Sequence, residues 1–290
     1  MEDSEKMLCP SALLVALLIC AAGCTQQAIE EKTTATTSIT LTTAQTTTTS
    51  QDKSKEVLLD MSALIKESRL DDALELAGKE GKERPEILAY LNDYGASLAK
   101  NQRFEDADKV FSKILEINPA YATAWYNKCY TFSAWGKFED AVAACNKTTE
   151  INPNDADAWY NQATALYYLE RYDEAVSACD KATEINPKYL TAWYNKGVAL
   201  TSLKRYDEAL AAYDKAIDIK PDYVEALNNK ANVLATLGRY DEALAAYDKA
   251  IELRPDYNET AKNKDITMTQ MKNKNLSNAA TDQSPDKYDV

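Results

Sequence analysis

The chain has 290 residues, a formal net charge of −13, no histidine, and 45% hydrophobic and 27% charged residues. This composition supports a folded core. The absence of histidine excludes the His-based general bases, catalytic triads and His-ligated zinc sites that many enzymes need. The negative charge argues against nucleic acid as a partner, because a protein that neutralises phosphates needs a basic face.

The first 24 residues contain an apolar run, SALLVALLICAAG, that ends immediately before Cys24. The run is too short to span a bilayer comfortably and is typical of a secretory signal, although acidic residues outnumber lysine ahead of it. Its end, AAGC, resembles the lipobox of prokaryotic lipoproteins, in which the cysteine becomes the lipidated first residue. We therefore expect residues 1–24 to be a membrane anchor lipidated at Cys24. The alternatives are an uncleaved hydrophobic anchor and a later start at Met7.

Threonine dominates the segment that follows, which has no aromatic residue and almost no charge up to Ser50. Such a composition cannot form a core. We expect residues 25–56 to be a disordered, threonine-rich stalk that holds the folded part away from a membrane. An O-glycosylated stalk and an unmodified flexible linker both remain open.

Helical hairpins account for the rest of the chain, and residues 190–223 show the pattern most clearly. Apolar or small residues recur there at roughly 3.6-residue spacing in two stretches, separated by the polar turn KRYDE. Asp207 and Glu208 place negative charge where the second stretch begins, which favours a helix start. Pro221 ends the unit, because proline cannot continue the preceding helix. The pattern predicts two amphipathic helices.

This unit recurs every 34 residues, and a proline ends each copy. The prolines are Pro85, Pro119, Pro153, Pro187, Pro221 and Pro255. Three further columns are Trp125, Trp159 and Trp193; Phe138, Tyr172, Tyr206 and Tyr240; and Ala107, Ala141, Ala175, Ala209 and Ala243. The period and these columns resemble the tetratricopeptide repeat (TPR) family. The resemblance implies an all-α fold, a right-handed superhelical solenoid of antiparallel helix pairs.

The period also divides the folded part of the chain. We expect a degenerate capping repeat at residues 57–87, because a terminal unit has one face without a neighbour. Few large apolar residues follow the last proline, so we expect a polar closing helix at 258–272 and a disordered tail at 273–290. The five repeats between them are 88–121, 122–155, 156–189, 190–223 and 224–257.

Three cysteines, Cys129, Cys145 and Cys179, lie in columns that a repeat fills with buried residues, so core packing is the expected role. A metal site is disfavoured, since the sequence has no histidine and these cysteines lack CxxC spacing. No cofactor is expected. Cys145 and Cys179 are one repeat apart, which leaves a disulfide between them open in an oxidising compartment.

Tyrosine and asparagine recur on the predicted first helices. In the TPR family these helices line the concave face and contact a partner peptide, so the resemblance implies a groove of these residues. Tyrosine offers contact area and a hydroxyl, and asparagine can bond a peptide backbone from both sides. The alternative is that the asparagines bridge adjacent repeats. The candidates are Tyr126, Asn127, Tyr130, Tyr160, Asn161, Thr164, Tyr194, Asn195, Asn229 and Asn232.

The charges beside these candidates favour a neutral or basic partner. Asp157 and Glu225 lie near the predicted groove, and acidic side chains there repel an acidic tail. The lysines and arginines with which some TPR grooves bind a carboxylate are absent. Lys128 and Lys196 instead occupy a column that the family usually fills with leucine, so their stems are expected to be partly buried.

The sequence therefore predicts a non-enzymatic protein-protein interaction scaffold. It is expected to be membrane-anchored on the extracytoplasmic face, at the cell surface or in a periplasm, with a protein or peptide partner. Recurring Asp-Glu pairs are explained by the helix dipole, and no segment remains for a catalytic domain. The alternative function is a structural or assembly component of a cell-envelope machine.

Overall fold

The computed structural model describes residues 46–282, and this part of the chain contains α-helices, one 3₁₀ turn at Gly81–Glu83 and no β-strand. The predicted all-α solenoid of helix pairs is confirmed. The helices are α1 (Thr46–Lys66), α2 (Leu70–Glu80), α3 (Pro85–Lys100), α4 (Phe104–Ile117), α5 (Ala122–Trp135), α6 (Phe138–Ile151), α7 (Ala156–Tyr168), α8 (Tyr172–Ile185), α9 (Leu190–Ser202), α10 (Tyr206–Ile219), α11 (Val224–Thr236), α12 (Tyr240–Leu253) and α13 (Asn258–Asp282).

Two compact units divide the described residues, one ending at Ala226 and one beginning at Leu227. In the first unit, α3 pairs with α4, α5 with α6, α7 with α8, and α9 with α10. The second helix of each pair packs on the first helix of the next pair. The first helices also contact each other in the order α3, α5, α7, α9, so they share one face of this unit. In the second unit, α12 packs against α13.

Two helices extend beyond their predicted bounds. Helix α1 begins at Thr46, within the segment predicted to be a stalk, and α13 continues to Asp282, beyond the predicted closing helix. The anchor with Cys24, the rest of the stalk at 25–45 and the tail from 283 onward lie outside the described residues. Of the helices between residues 46 and 282, none combines the length and apolar character needed to cross a membrane.

Every turn within a helix pair contains a residue in the left-handed backbone region. At Glu170 the φ angle is 59°, and the backbone N–H groups of Glu170 and Arg171 donate to Tyr167 and Leu166 at 3.0 Å each. This pattern satisfies carbonyl groups that the end of α7 leaves without a helical partner. The residues with positive φ recur with the repeat period: Ser68, Gln102, Gly136, Glu170, Lys204 and Gly238.

In two of the helix pairs, close approach of the helices depends on a glycine facing an aromatic ring. A Cβ atom added at Gly197 would lie 2.6 Å from the ring of Tyr213, which is fully buried. Gly95 and Phe111 meet in the same way in the α3/α4 pair. The ring fills the space that the missing side chain leaves, so the two helices pack without a void.

In the α5/α6 pair this contact is made by cysteines. Cys129 and Cys145 form a disulfide with a Cα–Cα distance of 5.2 Å, and both are fully buried. The cross-link joins the two helices of one repeat, so the pairing that the sequence left open, between Cys145 and Cys179, is not the one present. Cys179 is free and buried, and burial raises the pKa of its thiol to about 12. All three cysteines are core residues, as expected.

Polar bridges join the first helices α5 and α9 to the second helix of the preceding pair. The ammonium of Lys128 donates to Ser112 Oγ at 2.6 Å and lies 2.8 Å from Asp108. Lys196 forms the equivalent ion pair with Asp180 at 2.6 Å. These contacts explain why lysine occupies a column expected to hold leucine, since the stem is partly buried and the charge is paired.

The tryptophan and proline columns are connected by hydrogen bonds. The indole Nε1–H of each tryptophan donates to the carbonyl oxygen of the proline six residues earlier. The distances are 2.9 Å for Trp125 to Pro119, 2.9 Å for Trp159 to Pro153 and 3.0 Å for Trp193 to Pro187. Each bond fixes the loop that leads into the next repeat.

We expect Gly136→Ala to lower the free energy of unfolding by about 1 kcal/mol, because a left-handed conformation costs an L-residue about that much. The φ of Gly136 is 80°, and an added Cβ meets no atom within 4 Å, so the backbone alone is tested. Urea denaturation measures the change. Lys204→Gly is the reciprocal variant and should raise stability slightly. If the free energy of unfolding of Gly136→Ala is unchanged, the turn relaxes out of the left-handed region.

We expect Cys129, Cys145 and Cys179 to resist iodoacetamide at pH 8 in the folded protein, because the first two are joined in a disulfide and the thiol of Cys179 is buried. Of these three residues, only Cys179 should be alkylated in urea without reductant, and all three should be alkylated once reductant is added. Peptide mapping by mass spectrometry identifies the labelled residues. Labelling of Cys129 in urea without reductant contradicts the disulfide.

Candidate functional site

The first-helix face is the surface of α5, α7 and α9 on which the predicted groove residues lie. Helix α7 shows its construction, because Asp157, Tyr160, Asn161 and Thr164 follow the i, i+3, i+4, i+7 spacing that places side chains on one side of a helix. The corresponding residues of α5 and α9 are Tyr126, Asn127 and Tyr130, and Tyr194 and Asn195.

Two of the predicted groove tyrosines are core residues. Tyr160 is 8% exposed and Tyr194 is 3% exposed. Their rings pack against Tyr189 and Tyr223, respectively, each with a centroid distance of 5.2 Å. Each covering tyrosine precedes the first helix of the next pair, so it closes over the ring. The prediction that Tyr160 and Tyr194 offer contact area to a partner was therefore wrong.

Tyr126 and Tyr130, both on α5, are more accessible than these two. Each is half-buried. Burial raises the pKa of Tyr130, so its hydroxyl stays a neutral donor and acceptor near neutral pH. These two tyrosines can contribute both ring surface and hydroxyl groups to a partner that lies across the first-helix face.

The asparagine column has two kinds of member. Asn127 Nδ2 donates to Asn92 Oδ1 at 2.9 Å, and Asn195 Nδ2 donates to Thr164 Oγ1 at 3.3 Å. These amides bridge adjacent repeats, which is the alternative that the sequence left open, and Thr164 is buried beneath such a bridge. Asn161 differs, because its half-buried side chain has no hydrogen bond to any part of the chain between residues 46 and 282.

The remaining two candidates lie in the second unit. Asn232 is 6% exposed, and its Oδ1 accepts a hydrogen bond from the Tyr247 hydroxyl at 2.5 Å. Burial raises the pKa of Tyr247 to about 12. Asn229 Oδ1 accepts from Asn228 Nδ2 at 3.5 Å. Asn232 is therefore a packing residue and not a surface contact.

One site residue was missed in the sequence. The hydroxyl of Tyr189 donates to Asp157 Oδ1 at 2.5 Å, across the boundary between two repeats. Burial, and then the nearby Asp157 charge, hold the pKa of Tyr189 well above its ordinary value, so this hydroxyl keeps its proton. The signal was present as a further periodic column, Tyr189, Tyr223 and Tyr257, just ahead of the first helices.

Tetratricopeptide repeat models match residues 131–189, 160–224 and 224–257. No curated protein sequence matches the chain.

Several solved structures share the fold. A crystal structure of MamA is 25% identical with a TM-score of 0.55, covering 57% of this chain and 96% of that one. YrrB, described as a TPR protein with an unusual peptide-binding site, is 24% identical with a TM-score of 0.55, covering 60% and 90%. MamA from Desulfovibrio magneticus RS-1 is 16% identical with a TM-score of 0.56, covering 59% and 96%. Together with the helix pairs, the matched models identify residues 131–257 as tetratricopeptide repeats.

Proposed function

We propose that this protein is a non-enzymatic scaffold that binds a partner protein through an extended peptide segment lying across the first-helix face. The proposal rests on the side-chain amide of Asn161. Its neighbours in the column, Asn127 and Asn195, have their amides engaged between repeats, whereas the Asn161 amide lacks such a bond among the described residues. An amide that both donates and accepts matches the alternating groups of a peptide backbone.

The surroundings of Asn161 suit such a segment. Tyr126 and Tyr130 on the adjacent helix α5 are half-buried and present ring surface with hydroxyl groups. Aromatic side chains of this kind supply much of the contact energy in protein interfaces. The peptide-binding site named for YrrB supports a peptide as the form of the partner, and the shared TPR fold supports a scaffold over an enzyme.

We expect Asn161→Ala to weaken peptide binding about tenfold with an unchanged thermal midpoint, since one hydrogen bond to the partner is lost and none within the chain. The probe is a peptide selected by display on the full chain, with affinity measured by calorimetry. Asn195→Ala is the matched control. Its amide already bonds Thr164, so this variant should lower the thermal midpoint and change affinity less. Unchanged affinity in Asn161→Ala contradicts the proposal.

Membrane attachment is the second part of the proposed function. The apolar run that precedes Cys24 supports an anchor, and the threonine-rich segment after it supports a spacer that keeps the repeats away from the bilayer. The scaffold would then hold its partner at the extracytoplasmic face of the membrane.

We expect the native protein to begin at Cys24 and to carry added lipid mass, and Cys24→Ser to leave the precursor unprocessed. Intact-mass spectrometry of the membrane fraction measures both. A chain that retains Met1 and an unmodified Cys24 in that fraction indicates an uncleaved anchor. A protein found only in the soluble fraction excludes attachment.

A further inference from the structure

We infer that the first-helix face selects a partner segment that carries a lysine or arginine side chain, seated at the carboxylate of Asp157. This inference rests on the proposed function and specifies the chemistry of its partner. Asp157 and Asn161 are four residues apart on α7, which makes their side chains neighbours on one side of the helix. A peptide backbone bound at Asn161 therefore places a side chain within reach of Asp157.

The carboxylate of Asp157 is held in place by the next repeat. The Tyr189 hydroxyl donates to Oδ1 at 2.5 Å, and the ring of Tyr189 packs on Tyr160 with a centroid distance of 5.2 Å. Tyr160 is itself buried. The donor is therefore part of the packed boundary between the repeats, and it fixes one carboxylate oxygen while the exposed side chain leaves the other open to a ligand.

Asp157 has no paired cation in the described part of the chain, in contrast to two carboxylates in the first turns of second helices. Glu174 and Glu208 each form an ion pair with an arginine three residues earlier, at 2.5 Å and 2.6 Å. Within residues 46–282, Asp157 has no lysine or arginine within ion-pair distance. It is an exposed carboxylate that is oriented by a hydrogen bond and not neutralised.

The neighbouring first helices cannot supply that cation. The only charged residue of α5 is Lys128, which is engaged with Ser112 and Asp108, and the only one of α9 is Lys196, which is paired with Asp180. Both ammonium groups are directed to the preceding second helix. Neither lysine is available to Asp157, so its open carboxylate oxygen can accept a cation from a partner.

The fold does not require an acidic residue at this position. Threonine occupies it in the two adjacent repeats, as Thr123 and Thr191. Asp157 lies in the first turn of α7 and gains from the helix dipole, but Asp155 already caps this helix by accepting from the backbone N–H of Ala158 at 3.0 Å. Glu225 occupies the same column in the last repeat, so this position holds threonine in two repeats and an acidic residue in two. Packing alone therefore does not determine the residue at this position, which leaves the carboxylate of Asp157 available for recognition.

The test is a double-mutant cycle on the full chain with peptides selected by display. We expect the selected peptides to share a lysine or arginine at one position. Replacing that residue by glutamine should weaken binding to the natural chain about tenfold, because a charge-assisted hydrogen bond is lost. The same replacement should have almost no effect on binding to Asp157→Asn or Asp157→Thr. The threonine variant keeps the residue of the adjacent repeats, so folding is preserved.

The matched control is Asp140→Asn, which removes an exposed carboxylate from the first turn of α6 and should leave the cycle unchanged. Selected peptides that depend on Asn161 but share no basic residue overturn the inference and leave the proposed function standing. A shared basic residue whose replacement weakens binding equally in the natural chain and in the Asp157 variants also overturns the inference and leaves the proposed function standing. If no peptide is selected, or if binding is indifferent to Asn161→Ala, the proposed function fails and this inference fails with it.

Discussion

The fold depends on a close approach between the two helices of each repeat. At Gly197 a single added carbon would lie 2.6 Å from Tyr213, so the distance between the helices is set by a glycine facing a ring. The left-handed residue at each turn brings the second helix back along the first, and the same geometry occurs at Ser68, where the aromatic columns are missing. Because each repeat has the same internal geometry, the next repeat always meets an equivalent surface. Cys129 and Cys145 meet this requirement differently, with a covalent bond at the positions where Gly197 faces Tyr213 and Gly95 faces Phe111.

The residues proposed to act on a partner are those that depart from the repeat pattern. Asn127 and Asn195 occupy the column of Asn161 and use their amides to join repeats, so the column by itself reports packing. Asn161 has the same residue type without the bond, and Asp157 has a charge where adjacent repeats have threonine. Residues that recur in every repeat are those that packing requires. A residue that departs from the repeat pattern without disturbing the packing is not required by the fold.

The sequence was sufficient for the fold class because the proline, tryptophan and alanine columns each report a local requirement that holds in every repeat. It was insufficient for the tyrosines of the first helices. Tyr160 and Tyr194 follow a tryptophan on an amphipathic helix, and helical spacing alone places them on the surface. Tyr189 and Tyr223, from the next repeat, cover them. Whether a side chain is covered depends on the neighbouring repeat, which the pattern within one helix does not contain. The left-handed turns were also missed, since Gln102, Glu170 and Lys204 are not residues that signal positive φ.

Charge is divided between the two kinds of helix, and this division bears on partner choice. Helix α8 carries Asp173, Glu174, Asp180 and Glu184 against a single lysine, Lys181, and the other second helices have similar sequences. The first helices α5, α7 and α9 carry at most one charge each, and the two lysines among them are paired. An acidic segment approaching this unit is therefore repelled by the second helices and finds no free cation on the first-helix face.

A basic segment is attracted at long range by the whole unit and meets one oriented carboxylate at short range. The long-range term weakens with salt, whereas the contact at Asp157 depends on the hydrogen bond from Tyr189. The acidic second helices can thus raise the rate of encounter, and the position of the bound segment is set by Asp157 and Asn161.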